Sequence, residues 1–537
     1  MSHKTISWKF NWQGTETAQI ILLRLGTYGR VNHCHLKLLI FQEYGEELQL
    51  CNTAYLEGAV ARDNSYNAFL LDKPLKAGHY KIQLTSPDAD NLYNTLCVWL
   101  TLYYRHAGGN IIKNYRYAAP NRLNLQKTVA EFSYLPLISI VMPVYNTPKD
   151  FLIACLDSVI QQIYPHWELC IADDASTESY IEKILESYRE KYPEQIKIVY
   201  RPANGHISAA TNSALNLATG EYVALLDHDD VLTEDALLEV VNTLNLQLKN
   251  GKSHIDLVYS DEDKLDEGGD FDEPFFKPGW SPENLKGQMY IGHLGVYRKQ
   301  ILDEIGGFRV GYEGSQDWDL ALRFTEKTQH IVHIPKILYH WRKHSNSTAA
   351  NIDNKDYAVK MGLRVVQEAL EREAEAGIAK FNSLNNCLVV HYPVPSDTAP
   401  LVSIIIPTKD HAALLTDCLA SICTDNPYPN WEVVIVDNGS KEEATFDLFA
   451  EYRDTLGKQF NVIACPGKFN FSYLVNQGVQ AAQGQFLLLL NNDTKLLAPV
   501  NWLEEMVGYA QRQQIACVGI KLLYPDNTLQ HAGVVCG

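Results

Sequence analysis

A chain of 537 residues exceeds what one hydrophobic core accommodates, so about two to four domains are expected. Its 46% hydrophobic and 20% charged residues are those of an ordinary globular protein, and a formal net charge of −18 argues against nonspecific binding to nucleic acid or anionic membranes. The eleven cysteines include no CxxC pair, the N-terminus lacks a signal-peptide core, and no run reaches the roughly eighteen apolar residues of a membrane span; a cytoplasmic protein with reduced cysteines is expected.

Residues 1–108 alternate apolar and polar positions in short runs, "TAQIILLRL", "HLKLLIFQEY", "HYKIQLTS" and "LCVWLTLYY", separated by turn-forming clusters such as "DKPLKAGHY" and "SPDADN". Short strands at that spacing predict an accessory antiparallel β-sandwich. The polar stretch 109–134 reads as a linker. From 135 the texture changes. "LISIVMPVYN" is a continuous apolar run, as a strand buried on both faces of a parallel sheet requires. "PKDFLIACLDSVIQQI" has helical spacing with Pro148 at its start, and "WELCIADDAS" is a second buried strand ending in Asp173 and Asp174. The helical "YIEKILESYREKY" leads to a third strand, "IKIVYR". This alternation predicts right-handed crossovers and a doubly wound α/β domain, placed at 135–375.

After a linker at 376–398 the pattern returns in residues 399–537. "PLISIVMPVYN" becomes "PLVSIIIPTKD", "WELCIADDAS" becomes "WEVVIVDNGS", and "ATGEYVALLDHDD" becomes "AQGQFLLLLNNDT", each at an offset of 264 (400 − 136, 431 − 167, 482 − 218). A repeat this long is a duplicated domain, because solenoid units are far shorter.

In open α/β sheets ligands sit beyond the carboxyl ends of the strands. Asp173/Asp174 and the trio Asp227, Asp229 and Asp230 follow buried strands directly, which puts both acidic clusters at that edge. Neighbouring carboxylates repel unless something compensates them, and hard oxygen ligands suit Mg²⁺ or Mn²⁺ arriving with substrate phosphates. The competing reading, an acid-favouring helix N-terminus ahead of "TEDALLEVVNTLN", accounts for Asp230 but not for Asp227 and Asp229. In "PANGHISAATNSALNLATG", Gly205 allows close backbone approach. Ser208, Ala209 and Ala210 would let a helix pack beside a nucleotide, as a tight core helix also does.

Taken in order, "SIVMPVYN", "ADDAS", "NGHISAATNSALNLATGEYVALLDHDD", "EGSQDWDLALRF" and "HWRKHSNSTA" resemble glycosyltransferase family 2 over residues 135 to about 350. Residues 399–537 resemble the nucleotide-binding half of the same domain. The resemblance implies the GT-A fold and an inverting transfer from a nucleotide-diphospho-sugar to a glycan or lipid-linked glycan, as in O-antigen or capsule-like polysaccharide biosynthesis. It implies nucleotide-sugar contacts from Pro143, Tyr145, Asp174 and Asp227. A divalent cation, Mn²⁺ or Mg²⁺, would be held by Asp229 and His344, with His340 as the competing histidine. Asp317 would be the catalytic base that takes the acceptor proton. Asp319 reads as a helix cap, and Trp318 and Trp280 as sugar-stacking or core aromatics. No nucleic acid and no transmembrane segment is implied, while peripheral membrane association is compatible.

Two other classes fit parts of this pattern. A nucleotidyltransferase would lean on a basic Gly-rich loop after the first strand, which "PVYNTPKDF" lacks, and a non-catalytic carbohydrate-binding scaffold would not need Asp229, Asp317 and His344 together. In the second copy Asp174 becomes Asn438, Asp227 becomes Asn491 and Asp229 is kept as Asp493. The chain stops 44 residues past Asp493 (537 − 493), whereas Asp317 lies 88 past Asp229 (317 − 229). A truncated chain, or a second copy used for binding or packing, is expected.

Overall fold

The computed structural model describes the strands of residues 5–113, and residues 129–532 apart from 252–253, 267–268, 344–351, 384–386, 425 and 498–500. The chain divides into two compact units, 1–118 and 119–537. The first contains β1 (Thr5–Trp12), β2 (Ala18–Gly26), β3 (His35–Tyr44), β4 (Glu47–Glu57), β5 (Ser65–Leu75), β6 (Gly78–Thr85), β7 (Cys97–His106) and β8 (Ile111–Lys113). These form two antiparallel four-stranded sheets, ordered β1-β6-β3-β4 and β5-β2-β7-β8. Two details differ from the sequence reading. β5 runs on through "DKPL", expected as a turn, and β8 lies in the stretch expected as linker, where three residues are too few to show alternation.

In the second unit β9 (Ile138–Val144), β10 (Trp167–Asp173), β11 (Ile196–Tyr200) and β12 (Tyr222–Leu225) are parallel, in the order β11-β10-β9-β12. Helices α1 (Lys149–Ile160), α2 (Tyr180–Lys191) and α3 (His206–Leu215) connect them. β9 and β10 are buried throughout because both faces of the sheet are covered. Ile140 and Met142 pack with Leu156, Ile171 and Val240 on one face, while Val141 packs with Val223, Tyr259 and Phe324 on the other.

Beyond β12 the parallel sheet gives way to a mixed one. β13 (Val231–Leu232), β14 (Leu257–Leu265), β15 (Phe271–Phe275), β16 (Gly295–Arg298) and β17 (Ile331–Arg342) continue it in the order β12-β16-β14-β17-β13, with β15 on β14. The reversal comes from β16, antiparallel to both β12 and β14 and only four residues long, too short to announce itself. Helices α4 (Ala236–Lys249), α5 (Pro282–Gly287), α6 (Lys299–Glu304), α7 (Gln316–Thr325) and α8 (Ile352–Arg372) complete this copy. The stretch 376–398, expected as linker, forms an antiparallel hairpin of β18 (Ile378–Asn382) and β19 (Cys387–His391).

In the second copy β20 (Val402–Thr408), β21 (Trp431–Asp437), β22 (Phe460–Ala464) and β23 (Phe486–Leu489) repeat the parallel order as β22-β21-β20-β23. Each strand starts 264 residues after its counterpart (402 − 138, 431 − 167, 460 − 196, 486 − 222). The packing repeats too. Ser139 Oγ donates to Glu168 Oε1 at 2.6 Å and accepts from Gly220 N at 2.8 Å; Ser403 Oγ does the same with Glu432 Oε1 and Gly484 N, at 2.6 and 2.8 Å. A Cβ at Gly220 would lie 2.6 Å from Leu137 O, and one at Gly484 2.8 Å from Leu401 O, so both positions require glycine. The copies are joined where Tyr509 Oη donates to Val390 O (2.8 Å) and Arg512 pairs with Glu283 (2.7 Å) and Glu375 (2.6 Å). Among the described residues every cysteine is free and no helix is long and apolar enough to cross a membrane.

Candidate active site

The carboxyl ends of β9, β10 and β12 converge on one edge of the sheet. Pro143 is buried within β9 opposite Ala172, past the stretch where β12 pairs with it, so its missing N–H costs no ladder bond there. Tyr145 follows the strand and is 44% exposed. Asn146 turns the chain with φ of 47° and its Oδ1 accepts from Thr177 N at 2.8 Å, tying together the loops after β9 and β10.

At the end of β10 the two aspartates behave differently. Asp174 Oδ1 accepts from Arg201 Nε (2.7 Å) and Gly205 N (3.0 Å), so this carboxylate is already charge-paired. Gly205 matters for that pair, since a Cβ there would run into the Arg201 guanidinium. Asp173 Oδ2 accepts from Ser176 N at 3.2 Å, while its Oδ1 is buried without a hydrogen-bond partner.

The acidic loop after β12 is held by the end of β17. Tyr339 Oη donates to Asp230 Oδ2 (2.6 Å), Arg342 N donates to Asp230 Oδ1 (2.7 Å), and Arg342 Nε donates to the Asp229 carbonyl (2.7 Å). Asp230, 1% exposed, therefore does not serve the α4 N-terminus as expected; Asp235 occupies that position. Burial, then the charges of Asp229 and Asp227, push the Asp230 carboxyl well above the usual carboxylate range, against the pull of Tyr339 and Arg342. Asp227 is 40% exposed, with Oδ2 3.8 Å from His293 Nε2.

His293 lies outside the motifs read from the sequence. Its ring stacks on Tyr339 (centroids 4.5 Å apart, planes at 16°) and its N–H donates to Glu262 Oε2 at 2.8 Å. Buried Lys277 locks this turn by donating to Glu262 Oε2 (3.0 Å), Ile291 O (2.6 Å) and His293 O (2.5 Å). Asp227, Asp230 and His293 each offer a ligand atom, and the three atoms lie within 4.8 Å of one another. Two carboxylates and an imidazole suit a divalent cation of the Mn²⁺ or Mg²⁺ kind, whose charge would offset both the burial of Asp230 and its repulsion by Asp229 and Asp227.

The structure thus gathers Asp227, Asp230 and His293, where the sequence reading named Asp229 and His344 as metal ligands. Asp229 neighbours this group through the loop backbone, its carboxylate 3.9 Å from His228 Nδ1. His344 lies outside the described residues. His340 is not at the site: it is 2% exposed, with Nδ1 2.5 Å from Asp263 Oδ1 and its ring against Phe271.

Asp317 opens the first turn of α7, with Oδ1 accepting from Trp318 N at 2.8 Å. Burial raises its carboxyl above the usual range; Asp227 adds to the rise, while the Trp318 N–H and His293 oppose it. Asp317 therefore shares one electrostatic neighbourhood with Asp227 and His293. Asp319, expected as a cap, is fully buried and is instead gripped by Arg309 and by Arg323, whose Nε lies 2.9 Å from Oδ2. Trp318 donates Nε1–H to Leu285 O at 2.6 Å, and Trp318 and Trp280 both pack against the core, as aromatics usually do.

The family described as "Glycosyl transferase family 2" matches residues 139–306 and 403–532. Among curated relatives, an uncharacterized protein y4gI of Sinorhizobium fredii is 41% identical over 425 residues, 77% of this chain and 45% of that one. The O-antigen biosynthesis protein RfbC of Myxococcus xanthus is 37% identical over 414 residues, 77% of this chain and 31% of that one. A chondroitin synthase of Escherichia coli is 28% identical over 264 residues, 48% of this chain and 36% of that one. The chain spans less than half the length of each. The two matched regions cover more than half of the 537 residues, and the chain belongs to glycosyl transferase family 2.

Proposed function

We propose that this family 2 chain is a metal-dependent inverting glycosyltransferase whose first α/β copy moves a sugar from a nucleotide-diphospho-sugar to a glycan hydroxyl in surface-polysaccharide biosynthesis. The observation that carries the reading is the meeting of Asp227, Asp230 and His293 at the strand ends with the raised carboxyl of Asp317. The names of relatives in O-antigen and chondroitin synthesis support the substrate class.

Asp227, Asp230 and His293 would hold the cation, with Asp229 a further oxygen ligand from the same loop. The cation would neutralise the departing diphosphate, so no protein acid is required. Tyr145, 44% exposed at the open edge, would supply a ring face for the base, and the remaining acceptor capacity of Asp174 would serve a polar group of the nucleoside. Pro143 acts through the backbone, by setting where β9 leaves the sheet. Asp317 takes the proton of the acceptor hydroxyl as its oxygen attacks C1. The bond to the diphosphate breaks on the opposite side, which inverts the anomeric configuration. A carboxyl raised by burial is a stronger base than one in water, as this step asks. Residues 1–118 remain an accessory β-sandwich in this proposal.

The test is a donor screen of the purified chain with UDP-, GDP- and dTDP-sugars, Mn²⁺ or Mg²⁺, and oligosaccharide acceptors. Metal-dependent release of the nucleoside diphosphate together with a product of inverted configuration is expected. Acceptor-independent release that is indifferent to EDTA would overturn the reading.

A further inference from the structure

We propose that His254, Asp256 and His330 form a second metal site, for a Zn²⁺-class ion, at the end of the sheet opposite the candidate active site. Asp256 immediately precedes β14 and His330 immediately precedes β17, and these strands pair in parallel from Leu257 and Ile331 onward. The three residues therefore sit where the strands begin, whereas the acidic loop sits where strands end.

The distances carry the assignment. His254 Nε2 is 3.6 Å from Asp256 Oδ1, and His330 Nδ1 is 3.4 Å from Asp256 Oδ2. Both are longer than a hydrogen bond of about 2.7–3.2 Å, so neither imidazole is satisfied by the carboxylate directly. They match the ligand–ligand separation around a tetrahedral zinc ion, about 3.3–3.6 Å for bonds of about 2.0–2.2 Å, with each histidine facing a different oxygen of the one carboxylate. One ligand atom from each residue falls within 4.8 Å of the others. Two nitrogens and one oxygen favour zinc over magnesium, and three ligands leave a position for water.

The surroundings hold the carboxylate in place. Asp256 is 4% exposed, and Thr328 Oγ1 donates to its Oδ2 at 2.5 Å while accepting from His330 N at 2.9 Å. Asp256 N donates to His330 O at 2.8 Å, so ligand and ligand-bearing loop are fixed to each other. Such outer contacts orient metal ligands in general. Arg298 Nη1 lies 3.5 Å from Asp256 Oδ1 and opposes the ion's charge, which makes the site weaker than a closed four-ligand one. Both histidines are about half exposed, open to an ion from solvent.

The test uses the full chain carrying Asp227→Asn and His293→Ala, so that the candidate active site no longer competes, titrated calorimetrically with ZnCl₂ after EDTA treatment and dialysis. One saturable site is expected, weakened by about tenfold or more in His330→Ala and in His254→Ala. Excess MgCl₂ should not displace the ion, and Co²⁺ in its place should give d–d bands without sulfur charge transfer, which separates the site from exposed Cys517. Zn²⁺ binding unchanged by both histidine substitutions, or no saturable binding in the parent, would overturn the proposal. Because the histidines are solvent-facing, the variants should melt like the parent without zinc, so lost binding is not lost folding.

Discussion

Asp317 and Asp319 lie two residues apart on α7, and the structure gives them opposite consequences for the same substitution. Asp317→Asn keeps the shape of the side chain, including an oxygen for the Trp318 N–H, and removes the proton acceptor. A lost general base slows transfer by about 10²–10⁴, or about 3–5 kcal/mol of barrier. Stability should move the other way. A carboxyl raised above its ordinary 3.8 favours the fold only while protonated, and that contribution is lost as pH rises through the raised value. At pH 7 the substitution removes a charge the fold holds at a cost, so melting at or slightly above the parent is expected.

Asp319→Asn strikes a buried ion cluster instead, leaving Arg309 and Arg323 without their shared anion. Breaking a buried pair costs about 3–5 kcal/mol; the lower end applies because Arg309 is a third exposed and keeps Glu368 at 2.8 Å. A loss of about 3 kcal/mol lowers melting by about 6–12 °C in a domain of this size. The assay pairs nucleoside-diphosphate release at saturating donor with thermal denaturation of each variant. Near-parental transfer by Asp317→Asn would refute the assignment, as would an Asp319→Asn protein that melts normally yet no longer transfers sugar.

Three further outcomes are expected. Asp227→Ala and His293→Ala should each weaken Mn²⁺-dependent nucleotide binding by about tenfold or more, and Asp229→Ala should do the same; affinity indifferent to these changes and to EDTA would remove the cation from the site. The rate of transfer should fall on the acid side with an apparent pKa above that of a free aspartate, because Asp317 must be ionised to act and its carboxyl is raised; a flat profile between pH 4 and pH 7 contradicts this. Asp493→Ala should leave the transfer rate of a correctly folded chain unchanged, and lost activity would show that the second copy takes part in the chemistry.

The sequence was most legible where local pattern and burial agree. The apolar runs "SIVMPV" and "ELCIAD" are strands because both faces are covered, and the repeat offset holds strand by strand. Reading failed where a residue's role is set by a partner distant in sequence. Asp230 looks like a helix-start acid until β17, more than a hundred residues on, brings Tyr339 and Arg342 to it. His293 had a faint signal, the flanking glycines: a Cβ at Gly292, whose φ is 47°, would lie 2.7 Å from Glu262 Oε2. His340 had a false one. The family resemblance offered it as a competitor to His344, yet in the sheet it lies opposite Val231 and against Asp263.

The two copies separate what builds the frame from what performs chemistry. At the amino ends of β9, β10 and β12 and of their counterparts β20, β21 and β23, the Ser–Glu–Gly lock recurs with the same partners and distances, as packing shared by both copies. At the carboxyl ends the copies part. Where Arg201 grips Asp174, Cys465 stands opposite Asn438, whose amide donates to the Cys465 carbonyl at 2.9 Å while its own oxygen is buried without a partner. Asp227 and Asp230 become Asn491 and Thr494, and Thr494 Oγ1 simply donates to the Asn491 carbonyl at 2.6 Å. One carboxylate, Asp493, remains where the first copy crowds three. The burial and crowding that lift the Asp230 carboxyl therefore have no counterpart at Thr494 in the second copy. The proposed cation thus belongs to the first copy, where three carboxylates lie side by side.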